Sequence, residues 1–183
     1  MMFEPLILFD KQEYIESNTG NKICKSSIIS TPQALEIPHG RCIIKGNVTI
    51  RTDLAPLKLN KFIYIDEETT IIPPAVINDD ISGKRHIPVS IGSHSYIGKL
   101  CTIEASAIGQ GCHISNNCKL SPRCVLKDYV KIEPHTVIPA DVIIPPFAIV
   151  RGNPYQVIGE LPESITTIMP IDAERRYEHF ISK

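Results

Sequence analysis

"IGQGCHISNNCKLSPRCVLKDYVKIEPHTVIPADV", residues 108–142, places an aliphatic side chain at every sixth position: Ile108, Ile114, Leu120, Leu126, Ile132 and Ile138. Four places after each stands a smaller or β-branched residue: Cys112, Cys118, Cys124, Val130, Thr136 and Val142. A period of six fits neither the α-helical repeat nor a heptad, and Pro122, Pro134 and Pro139 would break a helix here. Two such columns describe a parallel β-helix in which three six-residue strands make one triangular coil. The large aliphatic fills the prism and the smaller residue lies near a corner. The fold class read from this is all-β, a left-handed parallel β-helix of hexapeptide repeats forming a triangular prism.

The columns extend outward from this stretch. Upstream they continue as Ile91, Ile97 and Ile103 with Ser95, Cys101 and Ala107, and downstream as Ile144 and Val150 with Ala148 and Pro154. One step, from Ile103 to Ile108, is five residues long. A less regular version runs through Ile44 with Val48, Ile50 with Leu54, Leu59 with Ile63, Ile65 with Thr69, and Ile71 with Ala75. The expected organisation is a capping segment at 1–39, a prism at 40–154 and a tail with one C-terminal α-helix at 155–183. A polar stretch, NDDISGKRHIPVS, interrupts the columns and predicts a loop insertion at 78–90 thrown out from a corner. Asp172 is the expected N-cap of the terminal helix, with Ala173, Tyr177, Phe180 and Ile181 on its apolar side.

Bulk composition narrows the function classes. Nineteen basic and twenty acidic residues give a formal charge of -1, which provides no field to collect phosphate backbones or anionic lipid. No apolar run reaches the ~18 residues of a spanning helix. The opening apolar run, Leu6 to Phe9, follows acidic Glu4 and lacks the basic region of a leader peptide. Six cysteines in that setting fit a reducing compartment, so the expectation is a soluble, intracellular protein with free thiols.

The cysteines occupy positions filled elsewhere by Ser, Ala, Thr and Val, which makes them small hydrophobes of the corner column. A thiolate metal site from Cys112, Cys118 and Cys124 is the weaker reading, since structural zinc thiolates come in closely spaced pairs. His94, His113 and His135 fall at hexad places that should face solvent, and no two are placed to share an ion. His94 or His113 could serve as a general base only in an enzymatic alternative. Arg51 and Asp53, two apart on an extended segment, should share one face.

A set of phrases in fixed order then points to a family. They are "KQEYIESNTGNKI" at 11–23, "IRTDLA" at 50–55, "IIPP" at 71–74, "SPRCVLKDYVKI" at 121–132, "IPPFAIVRGNP" at 144–154 and "GELPES" at 159–164. In these the chain resembles the dynactin subunit 5 family over 11–180. The resemblance implies a noncatalytic structural and adaptor subunit of the pointed-end complex, supporting dynein–dynactin cargo binding and microtubule-based transport. It implies as partners the sibling dynactin β-helix subunit (subunit 6), the actin-related pointed-end cap protein, other dynactin subunits and dynein cargo adaptors. It implies no nucleic acid, no direct membrane insertion and no cofactor, with a cytoplasmic, cytoskeleton-associated location. The interface candidates are Arg51, Asp53, Lys84, Arg85, His86, Tyr177 and Phe180. Thr52 stands where the family's Arg-Gly-Asp phrase has glycine.

Such subunits also resemble gamma-class carbonic anhydrases. The positions corresponding to the three zinc histidines are Asn78, Lys99 and Glu104, none a histidine, so no metal and no catalytic residue is expected. The alternative is a hexapeptide-repeat enzyme, either a gamma-carbonic-anhydrase-like hydratase with an altered ligand set or an acyltransferase.

Overall fold

Two-residue strands alternating with tight corners dictate the architecture, because each strand is too short to pair with a sequence neighbour and pairs with its counterpart one coil away. The computed structural model describes residues 5–77 and 83–183. It is a left-handed parallel β-helix with three faces. The first face carries Lys22–Cys24, Ile43–Ile44, Tyr64–Ile65, Tyr96–Ile97, His113–Ile114, Lys131–Ile132 and Ala148–Arg151, all in parallel register. Antiparallel strands close it at both ends, Tyr14–Glu16 at one and Gln156–Glu160 at the other. The second face runs from Ile28–Ile29 to Val137–Ile138, and the third from Leu35–Glu36 to Ile143–Ile144, each of six strands.

The sixth-position residues point inward as expected. On the first face Ile44, Ile65, Ile97, Ile114, Ile132 and Val150 stack in register and have no exposed surface. Burying each such side chain is worth about 1.5–3 kcal/mol before entropy is counted. The prism begins earlier than residue 40, since Lys22–Cys24, Ile28–Ile29 and Leu35–Glu36 form the first coil. Its inward residues, Ile23, Ile29 and Leu35, keep the six-residue spacing and pack on the core. The polar residues four places on, Ser27, Gln33 and His39, concealed that coil in the sequence.

Corners impose the tightest backbone constraint. Each first-face strand is preceded, two residues ahead of its outward side chain, by a left-handed residue: Arg41, Phe62, His94, Gly111, Tyr129 and Phe147. Asn47, Glu68, Leu100, Asn117 and His135 repeat this ahead of the second face. A left-handed non-glycine residue costs about 1 kcal/mol or more, which the ladder and core must offset. At Gly111 the absence of a side chain is needed, because a Cβ would lie 2.5 Å from the Tyr129 ring. Tyr129 in turn stacks on Phe147 at 5.5 Å, and Phe62 on His94 at 5.6 Å.

The thiols have a more specific task than filling space. Cys42 donates to the Asn60 carbonyl at 2.9 Å, Cys101 to Ser115 at 3.2 Å, Cys112 to Lys127 at 3.1 Å and Cys118 to Glu133 at 3.2 Å. Ser95 Oγ makes the equivalent bond to Gly109 at 3.0 Å and Thr69 Oγ1 to Gly98 at 2.6 Å. The column therefore supplies a donor to a corner carbonyl of the next coil. All six cysteines are free and buried, and burial pushes the Cys42 and Cys112 thiols up to about 12.

Two expectations are corrected outside the prism. The insertion expected at 78–90 is a hairpin in which Ala75–Ile77 pairs antiparallel with Lys84–His86, and Val89–Ile91 already belongs to the third face. Residues 78–82 of the expected insertion lie outside the described residues. The terminal helix is Ile165–Glu178, with Ser164 rather than Asp172 at its N-cap. Pro170 sits inside it; the acceptor it leaves without a donor, Thr166 O, belongs to an exposed residue open to water. Phe180 is past the helix, on a strand Phe180–Ser182 that pairs parallel with Ile7–Phe9.

Two substitutions test this account. Cys112→Ala should lower stability by about 1–2 kcal/mol in urea denaturation, by leaving the Lys127 carbonyl unpaired and a void. Cys112→Ser, which restores the donor seen at Ser95, should recover most of that loss. Phe180→Ala should cost about 3 kcal/mol and make residues 5–9 sensitive to limited proteolysis, because the strand that holds them loses its anchor.

Candidate functional site

The outward residues of the first face differ in kind from those of the other two. On the second face they are Ile28, Thr49, Thr70, Thr102, Lys119 and Val137; on the third, Glu36, Lys58, Ser90, Ala107, Val125 and Ile143. On the first they are Lys22, Ile43, Tyr64, Tyr96, His113, Lys131 and Ile149. An aromatic column in a place open to solvent elsewhere requires a cover. The two chain ends provide it.

Phe9 and Phe180 lie against this column, stacked on each other at 4.6 Å, with Tyr14 at 4.8 Å from Phe9 and Tyr64 edge-on to Phe180 at 6.3 Å. Phe9, Ile43, Tyr64 and Phe180 form a second core outside the prism. The helix adds Tyr177, whose hydroxyl donates to the Gly20 carbonyl at 2.7 Å and whose ring lies 4.3 Å from the Lys22 ammonium. Arg176 lies over Tyr96 at 4.8 Å. Tyr64 and Tyr96 stack at 5.4 Å, and Tyr96 and His113 at 4.8 Å. Such ring pairs add about 0.5–1.5 kcal/mol each beyond burial.

Beside this clamp a cleft of about 570 Å³ opens between Lys45, Asp66, Tyr96, Lys99, His113 and Arg176. Asp66 accepts a hydrogen bond from Tyr96 at 3.1 Å and lies 3.5 Å from Lys45. Glu67 pairs with Lys45 at 2.9 Å and with Lys99 at 3.1 Å, and these cations hold its carboxyl below the ordinary range. The charges of the cleft are thus largely matched within the chain.

Histidine placement refines the sequence reading. His113 is half-buried on the first face beside the clamp, where it lines the cleft, and burial, with Arg176 and Lys131 nearby, pulls it down to about 4 despite Glu133. His94 is half-buried against Phe62, its Nε2 has no hydrogen-bond partner, and burial lowers its pKa as well. Only His135 of the three is exposed. A histidine with lowered proton affinity is a weaker general base than a free imidazole.

The zinc-ligand positions fare no better. Asn78 lies outside the described residues. Lys99 presents an ammonium already bonded to Glu67, and an ammonium has no lone pair to give a metal. Glu104 alone would be a single oxygen donor. Among the described residues no three His, Cys, Asp or Glu side chains converge on a point. The residues present do not fit a zinc centre.

The interface candidates separate into three groups. Arg51 and Asp53 form an exposed two-bond pair, 2.8 Å for each bond, which holds the Asp53 carboxyl down at about 2. Thr52 between them is buried and bonds both backbone groups of Thr31, at 2.9 Å each, so it staples the preceding coil where a glycine could not. Lys84 and Arg85 are exposed on the hairpin, while His86 Nδ1 contacts the Pro73 carbonyl at 2.7 Å. Tyr177 and Phe180 are clamp residues; Phe180 is 0% exposed, so its side chain presents nothing to a partner. The clamp was missed because it joins residues from the two ends of the chain, as Phe9 with Phe180, to the middle of the prism. The alternation of Tyr64 and Tyr96 with the inward Ile65 and Ile97 was the available signal.

His113 gives the clamp a pH dependence. Its proton affinity is lower in the folded chain, at about 4, than at the ordinary 6.5, so the unfolded chain takes up the proton first as pH falls. Stability from this group is complete above pH 6.5 and is lost as pH falls toward 4, by on the order of 3 kcal/mol. His113→Phe should therefore flatten the stability profile between those limits in chemical denaturation at a series of pH values.

Comparison with known proteins follows the same lines. The family model described as dynactin subunit 5 matches residues 2–182. Dynactin subunit 5 from Dictyostelium discoideum is 37% identical over 102 residues, covering 55% of this chain and 50% of that protein. The match spans about half the length of that relative. Among solved structures, AntD, an N-acyltransferase from Bacillus cereus, superposes with a TM-score of 0.59 at 10% identity, over 85% of this chain and 88% of that one. A hexapeptide transferase family protein from Anaplasma phagocytophilum gives 0.58 at 15% identity, over 83% and 89%. At such identities the structural likeness establishes the prism and nothing of its chemistry. The sequence match over nearly the whole chain is of another kind, and by it the chain belongs to the dynactin subunit 5 family.

Proposed function

We propose that this chain is a noncatalytic structural and adaptor subunit of the dynactin pointed-end complex, where it supports cargo binding by dynein–dynactin and transport along microtubules. The observation that carries the reading is the use made of its reactive side chains. His113 is stacked on Tyr96, over which Arg176 lies, four of the six thiols donate to corner carbonyls, and Lys99 is paired with Glu67. Each of these groups is committed to holding the chain together, and what remains for function is surface.

Its partners on this reading are the sibling β-helix subunit, the actin-related pointed-end cap protein and dynein cargo adaptors, in the cytoplasm and on the cytoskeleton. Two prism faces lie outside the clamp and present short side chains: Thr49, Thr70 and Thr102 on one, Ser90, Ala107 and Val125 on the other. Flat ladders of this kind allow close approach of a second large surface. Beside them the hairpin offers Lys84 and Arg85, and the corner offers the Arg51–Asp53 pair, as charged contacts that set orientation.

Affinity purification of the tagged chain from native cytosol at near-physiological salt tests this. The expected outcome is one copy beside the sibling β-helix subunit and the actin-related proteins. The double variant Lys84→Glu/Arg85→Glu, on exposed positions, should melt at the same temperature yet retain less of at least one partner. Recovery of homo-oligomers alone would overturn the reading.

A further inference from the structure

The last strand of the first face, Gln156–Glu160, ends the nine-stranded sheet. It pairs with Ala148–Arg151 on one side only. Every residue in it is exposed, including Val157 at 54% and Ile158 at 46%. A strand edge presents alternating N–H and C=O groups at a spacing that another extended backbone matches. Edges left to water are ordinarily blunted by lysine or proline. The sequence QVIGE has neither, and a register shift opposite Ile149–Val150 leaves Ile158 as an extra exposed residue between the paired Val157 and Gly159. At the opposite end of this face the terminal strand Tyr14–Glu16 is flanked by lysines, Lys11 and Lys25.

We propose that the free edge of Gln156–Glu160 accepts an extended strand from a different dynactin subunit, continuing the sheet across the interface; the inference rests on the function proposed above. The chemistry of the occupant follows from what borders the edge. Glu160 and Glu163 are exposed at one end and no cation lies within the strand, so the added segment carries alternating apolar residues and a basic side chain opposite Glu160. A second copy of this chain cannot supply that charge from its own QVIGE segment, because antiparallel self-pairing would set Glu160 against Gln156. Main-chain bonds would give the affinity, and the exposed Val157 and Ile158 would be covered.

The test uses the complex recovered from cytosol with the full-length tagged chain. Ile158→Lys installs the missing edge charge at an exposed position, and Ile168→Lys, at 45% exposure on the terminal helix, serves as the comparator. The expected result is an unchanged melting temperature for the isolated Ile158→Lys chain, a loss of at least about tenfold in one co-purifying subunit, and normal recovery with Ile168→Lys. In the wild-type complex, amide exchange over 156–160 should slow by at least about tenfold relative to the isolated chain. A complete complex with exchange over 156–160 as in the free chain, or full recovery with Ile158→Lys, overturns the edge inference while leaving the dynactin reading intact. A homodimer that protects these amides overturns the choice of occupant. Recovery of no dynactin subunit with the wild-type chain overturns both.

Discussion

Each coil satisfies its backbone only through the coils above and below it. Successive strands of a coil lie on different faces and do not pair with each other, so their donors and acceptors run along the prism axis, as from Tyr96 N–H to the Cys112 carbonyl at 2.8 Å. That requirement fixes the rest. It forces a left-handed residue at the corners, selects an aliphatic residue of one size for the interior, and places serine, threonine or cysteine where a corner carbonyl needs a donor. It also leaves the two ends of the stack with unmatched edges.

The chain treats its surfaces unequally. The first face is paved with aromatic side chains and closed over by both termini, which meet in a parallel pair and bury Phe9 against Phe180. That pairing is non-local in the extreme, and it ties the order of the N-terminal segment to the C-terminal one. The other two faces mix short outward side chains such as Thr70, Thr102 and Ala107 with longer ones such as Lys58 and Lys119, and the hairpin carries two exposed cations.

The solved structures that share this prism include acyltransferases, so the scaffold is compatible with catalysis. In this chain burial and the cations beside it lower the proton affinity of His113, and Lys99 is paired with Glu67. A fold supplies positions, and chemistry depends on whether a lone pair or a proton is free at them.

The sequence by itself determined the prism, because the sixth-residue column is a local pattern: whichever residues are Ile108, Ile114 and Leu120, their spacing alone states which side of the strand each occupies. The family phrases were legible for the same reason, being contiguous. Even the concealed first coil kept its Ile23, Ile29 and Leu35 spacing, and was hidden only by polar residues at its corners. Only the tertiary structure decided which face is covered. Whether Tyr64 and His113 meet water depends on Phe180 and Arg176, and no periodicity links residues so far apart. The same holds for Phe180, read as an interface candidate on the apolar side of a helix and found as the anchor of a strand, since its role is set by Phe9 at the other end of the chain. Local pattern fixes the direction of a side chain; what it meets there is settled when distant segments pack.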